Sequence, residues 1–310
     1  MSYLLGIDLG GSSVKAVAVQ PEGTALARFN ESFDPERPLH FAQTIRNLVR
    51  RLQAERGALP DRIGVSAPGV AAPDGRSIAY MPGRLAGLVD LVWAEHLGFA
   101  KPIPVLNDAK AALLGEVWQG AARGCQNVLL LTLGTGVGGA AMVDGRLLRG
   151  HTGKAGHLGH ICLDPDGPSD ICGTPASLEL AIGNCSIRER TEGRFATTHD
   201  LIAAHQAGDP AATAVWLRSV KALACALGSF TNILDPEVVV IGGGIARAGA
   251  ALFEPLERFV RRVEWQVCGH QVKILPAQLG EFAGAFGAAS NALAMASRAR
   301  NLVEVSQTDR

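Results

Sequence analysis

The sequence predicts an α/β fold, and three observations carry that prediction. Apolar runs of strand length alternate with segments of helical period along the chain. A unit of strand, glycine hairpin and strand occurs twice, at Asp8–Val19 and at Thr132–Val143. Glycine is abundant, 37 of 310 residues, and aromatic side chains are only 5%, a composition suited to many tight turns.

Tyr3–Ile7 is a short apolar strand that runs into Asp8-Leu9-Gly10-Gly11-Ser12-Ser13, and Val14–Val19 resumes as strand. Asp8 at the strand end is either a turn or cap residue or an acid that holds a hydrated Mg²⁺ near phosphates. Lys15, at the start of the second strand, either meets phosphate or stands solvated. Leu39–Arg56 places Phe41, Ile45, Leu48, Val49 and Leu52 on one helical face. Arg62–Val65 is a strand ending in Ser66-Ala67-Pro68-Gly69, a turn at the same end of the sheet as the glycine hairpin if the strands run parallel. Pro102–Leu106 is a further strand, and Ala109–Trp118 a helix capped by Asn107 or Asp108.

The second copy opens with the apolar strand Val128–Leu131 and continues Thr132-Leu133-Gly134-Thr135-Gly136-Val137-Gly138-Gly139. Ala140–Val143 follows at once and ends in the turn dipeptide Asp144-Gly145, so these glycines sit on a hairpin tip and open no helix. Such a tip leaves backbone N–H groups bare, as a phosphate cradle requires. Gly156-His157-Leu158-Gly159-His160 closes the stretch, and Leu163–Asp170 is a loop rich in proline and acid. Helices are expected from Ser177, over Leu201–Ala207 and over Asp209–Ile233. A buried strand, Pro236–Ile241, ends in Gly242-Gly243-Gly244, followed by a helix Arg247–Arg261, a strand Val272–Leu275 and a last helix from Gly284 to Arg298. The expected hinge follows Asp108, where the second repeat begins. It divides the chain into a domain of residues 1–108, completed by a C-terminal helix over 284–310, and a larger domain of residues 109–283.

Formal charges cancel at pH 7, which removes any electrostatic ground for nucleic-acid or membrane-surface partners. No apolar run approaches membrane-spanning length, and the N-terminus enters strand pattern without a basic region or cleavage site, so a cytoplasmic protein is expected. The six cysteines are scattered and expected to be reduced. The glycine triplet after the strand invites a dinucleotide-binding reading, but the third glycine of G-x-G-x-x-G is Arg247, and no G-x-x-x-x-G-K-[ST] occurs. A flat ring can still approach backbone closely there, so Gly243 and Gly244 read as the adenine side of an ATP site.

With Asp8-Leu9-Gly10-Gly11, Asn107-Asp108-Ala109, Gly134–Gly139, Gly156–His160 and Gly242–Gly244 in that order, the chain resembles the ROK family of sugar kinases and related repressors. The resemblance extends through Ala277-Gln278-Leu279-Gly280 and Ala283–Ala289. It implies a two-domain actin-like ATPase (ribonuclease H-like) fold, each domain built on a sheet carrying the glycine hairpin. It implies ATP and Mg²⁺ as cofactors, a hexose or amino sugar as substrate, and assembly as a homodimer. Asp108 then matches the general base for the C6 hydroxyl, Asn107 a sugar-hydroxyl ligand, His160 a histidine that touches sugar or zinc, and Glu179 a glutamate that reaches the sugar. Gly69 falls on the sugar side. Asp8, Gly10, Gly11, Ser12, Lys15, Gly134, Thr135, Gly136, Gly138, Gly243 and Gly244 fall on the nucleotide side, with Mg²⁺ held from Asp8 through water.

Three departures from the family pattern stand out. His157 occupies the position of a glutamate in Gly-Glu-x-Gly-His, a variant similar to the bacterial N-acetylmannosamine kinases of the family. Pro82-Gly83-Arg84 replaces the usual Pro-Asn-Leu sugar loop. The zinc motif Cys-x-Cys-Gly-x-x-Gly-Cys-x-Glu is reduced to Asp170-Ile171-Cys172-Gly173-Thr174-Pro175-Ala176-Ser177-Leu178-Glu179, so no structural zinc is expected. The resemblance thus implies a glucokinase-like kinase, with an N-acetylmannosamine or other amino-sugar kinase as the alternative. A non-catalytic sugar sensor is the further alternative. Family repressors carry an extra N-terminal helix-turn-helix module, whereas this chain has only Met1-Ser2 before its first strand.

Overall fold

The computed structural model describes residues 2–308, with side chains through residue 297. The chain divides into two compact units. Unit 1 holds the chain up to Gly124, the segment Arg149–Ala155 and the chain from Gln278 on; unit 2 holds Cys125–Leu148 and Gly156–Ala277.

Unit 1 runs β1 (Leu4–Leu9), β2 (Ser13–Val19), β3 (Ala25–Ser32), α1 (His40–Arg56), β4 (Arg62–Ala67), β5 (Val70–Ala71), β6 (Ile78–Tyr80), α2 (Trp93–Leu97), β7 (Val105–Asn107) and α3 (Asp108–Gln119). Its main sheet has the order β3-β2-β1-β4-β7. β1, β2 and β3 are antiparallel neighbours, while β4 and β7 continue in parallel from β1. The apolar face predicted for α1 is buried in full, from Phe41 to Leu52, and packs with Trp93 of α2. β3 escapes the sequence reading. It is an edge strand without a single buried residue, so it carries no apolar run to find.

Unit 2 repeats the plan. It runs β8 (Val128–Leu133), β9 (Val137–Val143), β10 (Arg146–Leu147), α4 (Leu178–Ile182), α5 (Ile187–Arg190), α6 (Thr198–Gln206), α7 (Pro210–Leu234), β11 (Val238–Gly242), α8 (Ala250–Val263) and β12 (Lys273–Pro276). The sheet order is β10-β9-β8-β11-β12, with β8/β9/β10 antiparallel and β8/β11/β12 parallel. The sequence repeat is therefore a repeat of topology, hairpin first and parallel strands after. α7 starts at Asp209, which accepts the Ala212 amide, with Pro210 at the first helical position where a missing N–H does no harm.

By length and composition α7 could cross a membrane, contrary to the expectation that no segment would. Half of that window is buried, and Trp216, Val220, Leu223 and Leu227 belong to the core of unit 2, so α7 is read as a core helix. The helix expected over Arg247–Arg261 is broken. Ile245–Ala248 forms a 3-10 turn, Gly249 takes φ 57°, and α8 begins only at Ala250.

α9 (Ala283–Thr308) belongs to unit 1, and residues 309 and 310 of the helix expected over 284–310 lie outside the described residues. It packs on β1, β4 and α3. Gly6 and Gly64, register partners on β1 and β4, make that approach feasible: a Cβ on Gly6 would stand 1.8 Å from the Ala285 carbonyl oxygen, and one on Gly64 2.0 Å from that of Ala288. α3 lies with unit 1 as well, so the division follows Gly124 where the sequence had suggested Asp108. Backbone contact between α3 and α9 is equally close, since a Cβ on Gly287 would meet the Ala111 carbonyl oxygen at 1.6 Å.

Candidate active site

In unit 1 the functional side chains gather where the parallel strands end. Asp8 sits on β1 next to Ser66 of β4, and the Ser66 hydroxyl donates to Asp8 Oδ1 at 2.7 Å. Gly284, in the first turn of α9, leaves room for this carboxylate; a Cβ there would lie 2.6 Å from Asp8 Cγ. Burial pushes the Asp8 carboxyl up to about 6, the Ser66 bond opposes this, the Asp108 charge adds to it and Lys15 subtracts. Lys15 stands across the hairpin from Asp8 and makes a partly exposed ion pair with Glu281 at 3.8 Å.

One strand further, β7 delivers Asn107 and Asp108. Of the two candidate caps, Asn107 is the one used: its Oδ1 accepts the amides of Ala109 (3.1 Å) and Lys110 (3.3 Å), and its Nδ2 donates to the Gly69 carbonyl at 3.0 Å. The residue expected to bind a sugar hydroxyl is thus buried, and it ties the β4 turn to α3. Asp108 is the first helical residue and is exposed, with Oδ1 accepting the Ala109 amide at 2.8 Å. One residue beyond Ala109, the buried Lys110 donates Nζ to the Gly153 carbonyl. That bond holds the segment Arg149–Ala155 onto unit 1. Burial, and after it the Arg149 charge, hold the Lys110 ammonium below its usual range.

In unit 2 the glycine hairpin joins β8 to β9. The Gly134 amide is spent on the Gly136 carbonyl at 2.9 Å, as the Gly10 amide is spent on the Ser13 carbonyl in unit 1. These two amides are therefore not the bare donors anticipated; a tight turn needs a closing bond of its own. Other amides take that place. The carbonyls of Gly134 and Thr135 accept from the amides of Asn184 (2.9 Å) and Cys185 (2.8 Å). A trans peptide sets each carbonyl opposite the next N–H, so the amides of Thr135 and Gly136 point away from Asn184 and Cys185.

Glu179, in the first turn of α4, accepts the Val137 amide at 2.9 Å. A Cβ on Gly136 would stand 2.1 Å from its Oε2. The glutamate assigned by resemblance to the sugar thus braces the hairpin. Gly242 of β11 is the register partner of Thr132, which brings the triplet beside this hairpin. Gly243, at φ 89°, crosses so close to β8 that a Cβ would meet the Leu133 carbonyl oxygen at 2.2 Å. Gly244 faces His199 of α6, a neighbour with no sequence signal.

Half-buried His157 precedes a 3-10 turn, Leu158–His160. His160 Nδ1 lies 2.7 Å from Asp170 Oδ2, and Asp170 Oδ1 accepts the amides of Cys172 (2.8 Å) and Thr174 (2.9 Å). Burial alone pushes the Asp170 carboxyl up, but bonds from His160, Thr174, Ser177 and Cys172 together hold it below the usual carboxylate range. His160 Nε2 lies 3.6 Å from Cys172 Sγ.

A sequence model described as the ROK family matches residues 4–295. The chain belongs to the ROK family. It is 32% identical to a glucokinase of Thermotoga maritima, over 93% of this chain and 96% of that one. It is 31% identical to an N-acetylmannosamine kinase of Vibrio cholerae, over 88% and 93%. Among solved structures it resembles a ROK hexokinase from Thermus thermophilus, with TM-score 0.85, 31% identity and 96% and 99% coverage. It also resembles a ROK glucokinase from Streptomyces griseus in complex with glucose and AMPPNP, with TM-score 0.75, 25% identity and 94% and 99% coverage. The fold is the actin-like two-domain ATPase fold of these ROK proteins.

The zinc motif associated with ROK proteins can be tested against the donors present. His160, Asp170 and Cys172 offer ligand atoms within 4.8 Å of one another. A closed structural zinc site takes four ligands, mostly thiolate and imidazole. Here only three candidate donors converge among the described residues, and the carboxylate among them is already engaged by the imidazole and two amides. The set does not fit a structural zinc. Mg²⁺ is a different matter: the Asp8 carboxylate at the end of β1, with Oδ1 held by the Ser66 hydroxyl, offers hard oxygen of the kind a divalent cation takes.

Proposed function

We propose that the protein is an ATP-dependent sugar kinase that phosphorylates a hexose at the C6 hydroxyl, with Asp108 as general base. The observation that carries the proposal is the outward turn of the Thr135 and Gly136 amides, forced by the Asn184 and Cys185 bonds behind them. Two such amides on a glycine tip form a cradle for phosphate oxygens. The glucokinase relatives and the glucokinase structure with glucose and AMPPNP support the same reading.

Phosphoryl transfer asks a protein mainly for position and for charge neutralisation. The Gly134–Gly136 hairpin is assigned the phosphates, with Gly243 and Gly244 on the adenine side. Asp108 is assigned the proton of the attacking hydroxyl, taken as that oxygen bonds the γ-phosphorus and the bond to the β-phosphate oxygen breaks. Asp8 would hold Mg²⁺ through water; the ion supplies neutralisation of the phosphate charge. His157 and His160 are assigned to ring hydroxyls. An Nδ1–H directed to Asp170 makes His160 Nε2 an acceptor, which a sugar hydroxyl would share with the Cys172 thiol 3.6 Å away.

A second reading, an N-acetylmannosamine or other amino-sugar kinase, is favoured by His157 and by the Vibrio cholerae relative. A neutral imidazole can donate or accept, whereas a glutamate only accepts, so the sugar group opposite it must differ.

The test is a coupled ADP-release assay over glucose, mannose, fructose, N-acetylglucosamine and N-acetylmannosamine, run on wild type and Asp108→Asn. The variant keeps shape and polarity and loses basicity. Its kcat is expected to fall roughly 10²–10⁴-fold with little change in sugar affinity and an unchanged melt. A near-normal kcat would remove Asp108 from the chemistry, and ADP release with none of the sugars would remove the kinase reading.

A further inference from the structure

Unit 2 contains a cavity of about 320 Å³ that none of the chemistry above uses. It lies behind α4 and against α7. Leu163, Leu180, Ala181, Val215 and Ala222 give it apolar walls, and Arg190 and Arg218 stand at its edge. No acidic side chain is among its described lining residues.

Arg190 is unusual for a guanidinium inside a protein. It donates to the hydroxyls of Ser186 (3.0 Å) and Ser219 (2.7 Å) and to the carbonyls of Ile182 (3.3 Å) and Gly183 (2.7 Å). All four are neutral acceptors, and among the described residues no carboxylate makes an ion pair with it. A charge taken out of water is ordinarily matched by an opposite one. Here burial holds the guanidinium down to about 10, with only weak opposition from Cys185 and Glu189. Arg218, an exposed residue of the same lining, adds a second positive charge.

We infer that this cavity is a binding site for a small organic anion with an apolar body, its acidic group between Arg190 and Arg218 and its body between α4 and α7. The volume is that of a small-molecule pocket, and the combination of apolar walls with a few placed polar groups is what such ligands need. Charge complementarity selects an acid over a neutral or basic molecule.

The site is also wired to the phosphate hairpin. Arg190 holds the Gly183 carbonyl, and the next two amides, Asn184 and Cys185, hold the carbonyls of Gly134 and Thr135. Leu180 and Ala181 on the cavity wall belong to the helix whose Glu179 braces Val137. An anion that engages Arg190 competes with the Gly183 carbonyl for its N–H groups. It thereby loosens the support that turns the Thr135 and Gly136 amides outward, and nucleotide affinity falls.

The experiment is isothermal titration of the full chain with octanoate, with octanol as the uncharged control. Saturable one-to-one binding of octanoate is expected, at least about tenfold tighter than octanol, since a charge-assisted bond is the difference between them. Arg218→Ala should weaken octanoate about tenfold or more, and Ala222→Phe, which fills the cavity, should abolish binding. Octanoate at a concentration that fills the site of wild type but not that of Arg218→Ala should weaken AMPPNP several-fold in wild type and much less in Arg218→Ala. If Ala222→Phe does not fold, Arg218→Ala decides alone, because that side chain is exposed and its loss costs the fold little. Absence of saturable binding, or binding to Arg218→Ala equal to wild type, would overturn the site. AMPPNP affinity indifferent to bound octanoate would overturn the coupling. Octanoate binding is read directly, so it stands or falls separately from the kinase reading.

Discussion

Asp8→Asn should make the protein more stable at pH 8 and inactive. The Asp8 carboxyl stands at about 6 against an ordinary value of 3.8, chiefly because burial penalises its charge. Its value in the folded chain lies above that in the unfolded chain, so ionisation opposes folding. The cost is fully present above pH 6, fades as pH falls through 6, and is gone below 3.8. A difference of about two pH units at about 1.4 kcal/mol each gives roughly 3 kcal/mol. Asparagine removes the charge, still accepts the Ser66 hydroxyl and fits the space left by Gly284. For a chain of this size the gain corresponds to a rise in Tm of about 5 °C at pH 8. Thermal melts of wild type and variant at pH 8 and pH 4.5 check it: the gap should be wide at the first and shrink to about a third at the second. Phosphotransfer should be lost at both, because a neutral amide is a poor partner for hydrated Mg²⁺. A variant no more stable than wild type at pH 8, or a gap that does not change with pH, would show that Asp8 is not held in the folded state as a costly charge.

The other expectations concern the loops. His157→Glu should reorder the sugar preference in the ADP-release panel; an unchanged order would refute a selective role for His157. Purified protein should contain no stoichiometric zinc after dialysis, measured by elemental analysis. Asp170→Ala should lower stability by about 1 kcal/mol, because the part-buried amides of Cys172 and Thr174 lose their acceptor; one zinc per chain would defeat the metal-free reading. Glu179→Ala should raise KM for ATP more than KM for sugar, since it removes the brace on Val137, and the reverse ranking would return Glu179 to the sugar. Lys110→Met should speed tryptic cleavage after Arg149, because the segment Arg149–Ala155 loses its bond at Gly153; an unaltered rate would show that the segment is held by other contacts.

The sequence by itself determined what local pattern and backbone chemistry dictate. The two glycine hairpins, the buried face of α1, the helix beginning at Asp209 and the α/β alternation could all be read from the residues, because periodicity and turn residues act within a few positions of themselves. The order of five short motifs was enough to place the chain in the ROK family. Where the pattern was weak the reading failed: β3 buries nothing fully, and Gly249 broke a helix whose apolar period ran on across it. The tertiary structure alone decided the partners. Ser66 meets Asp8 across 58 positions, Glu179 meets Val137 across 42, Lys110 meets Gly153 across 43, and Asn184 reaches Gly134 from the far side of a loop. The first pair is made by strands in register and the others by a helix or 3-10 turn meeting a strand, loop or hairpin, and no single position carries a mark of it. The same cause gives Asn107 the work of a helix cap and Glu179 that of a brace on Val137. A polar side chain can serve whichever donor the fold brings to it, and only packing determines which donor that is.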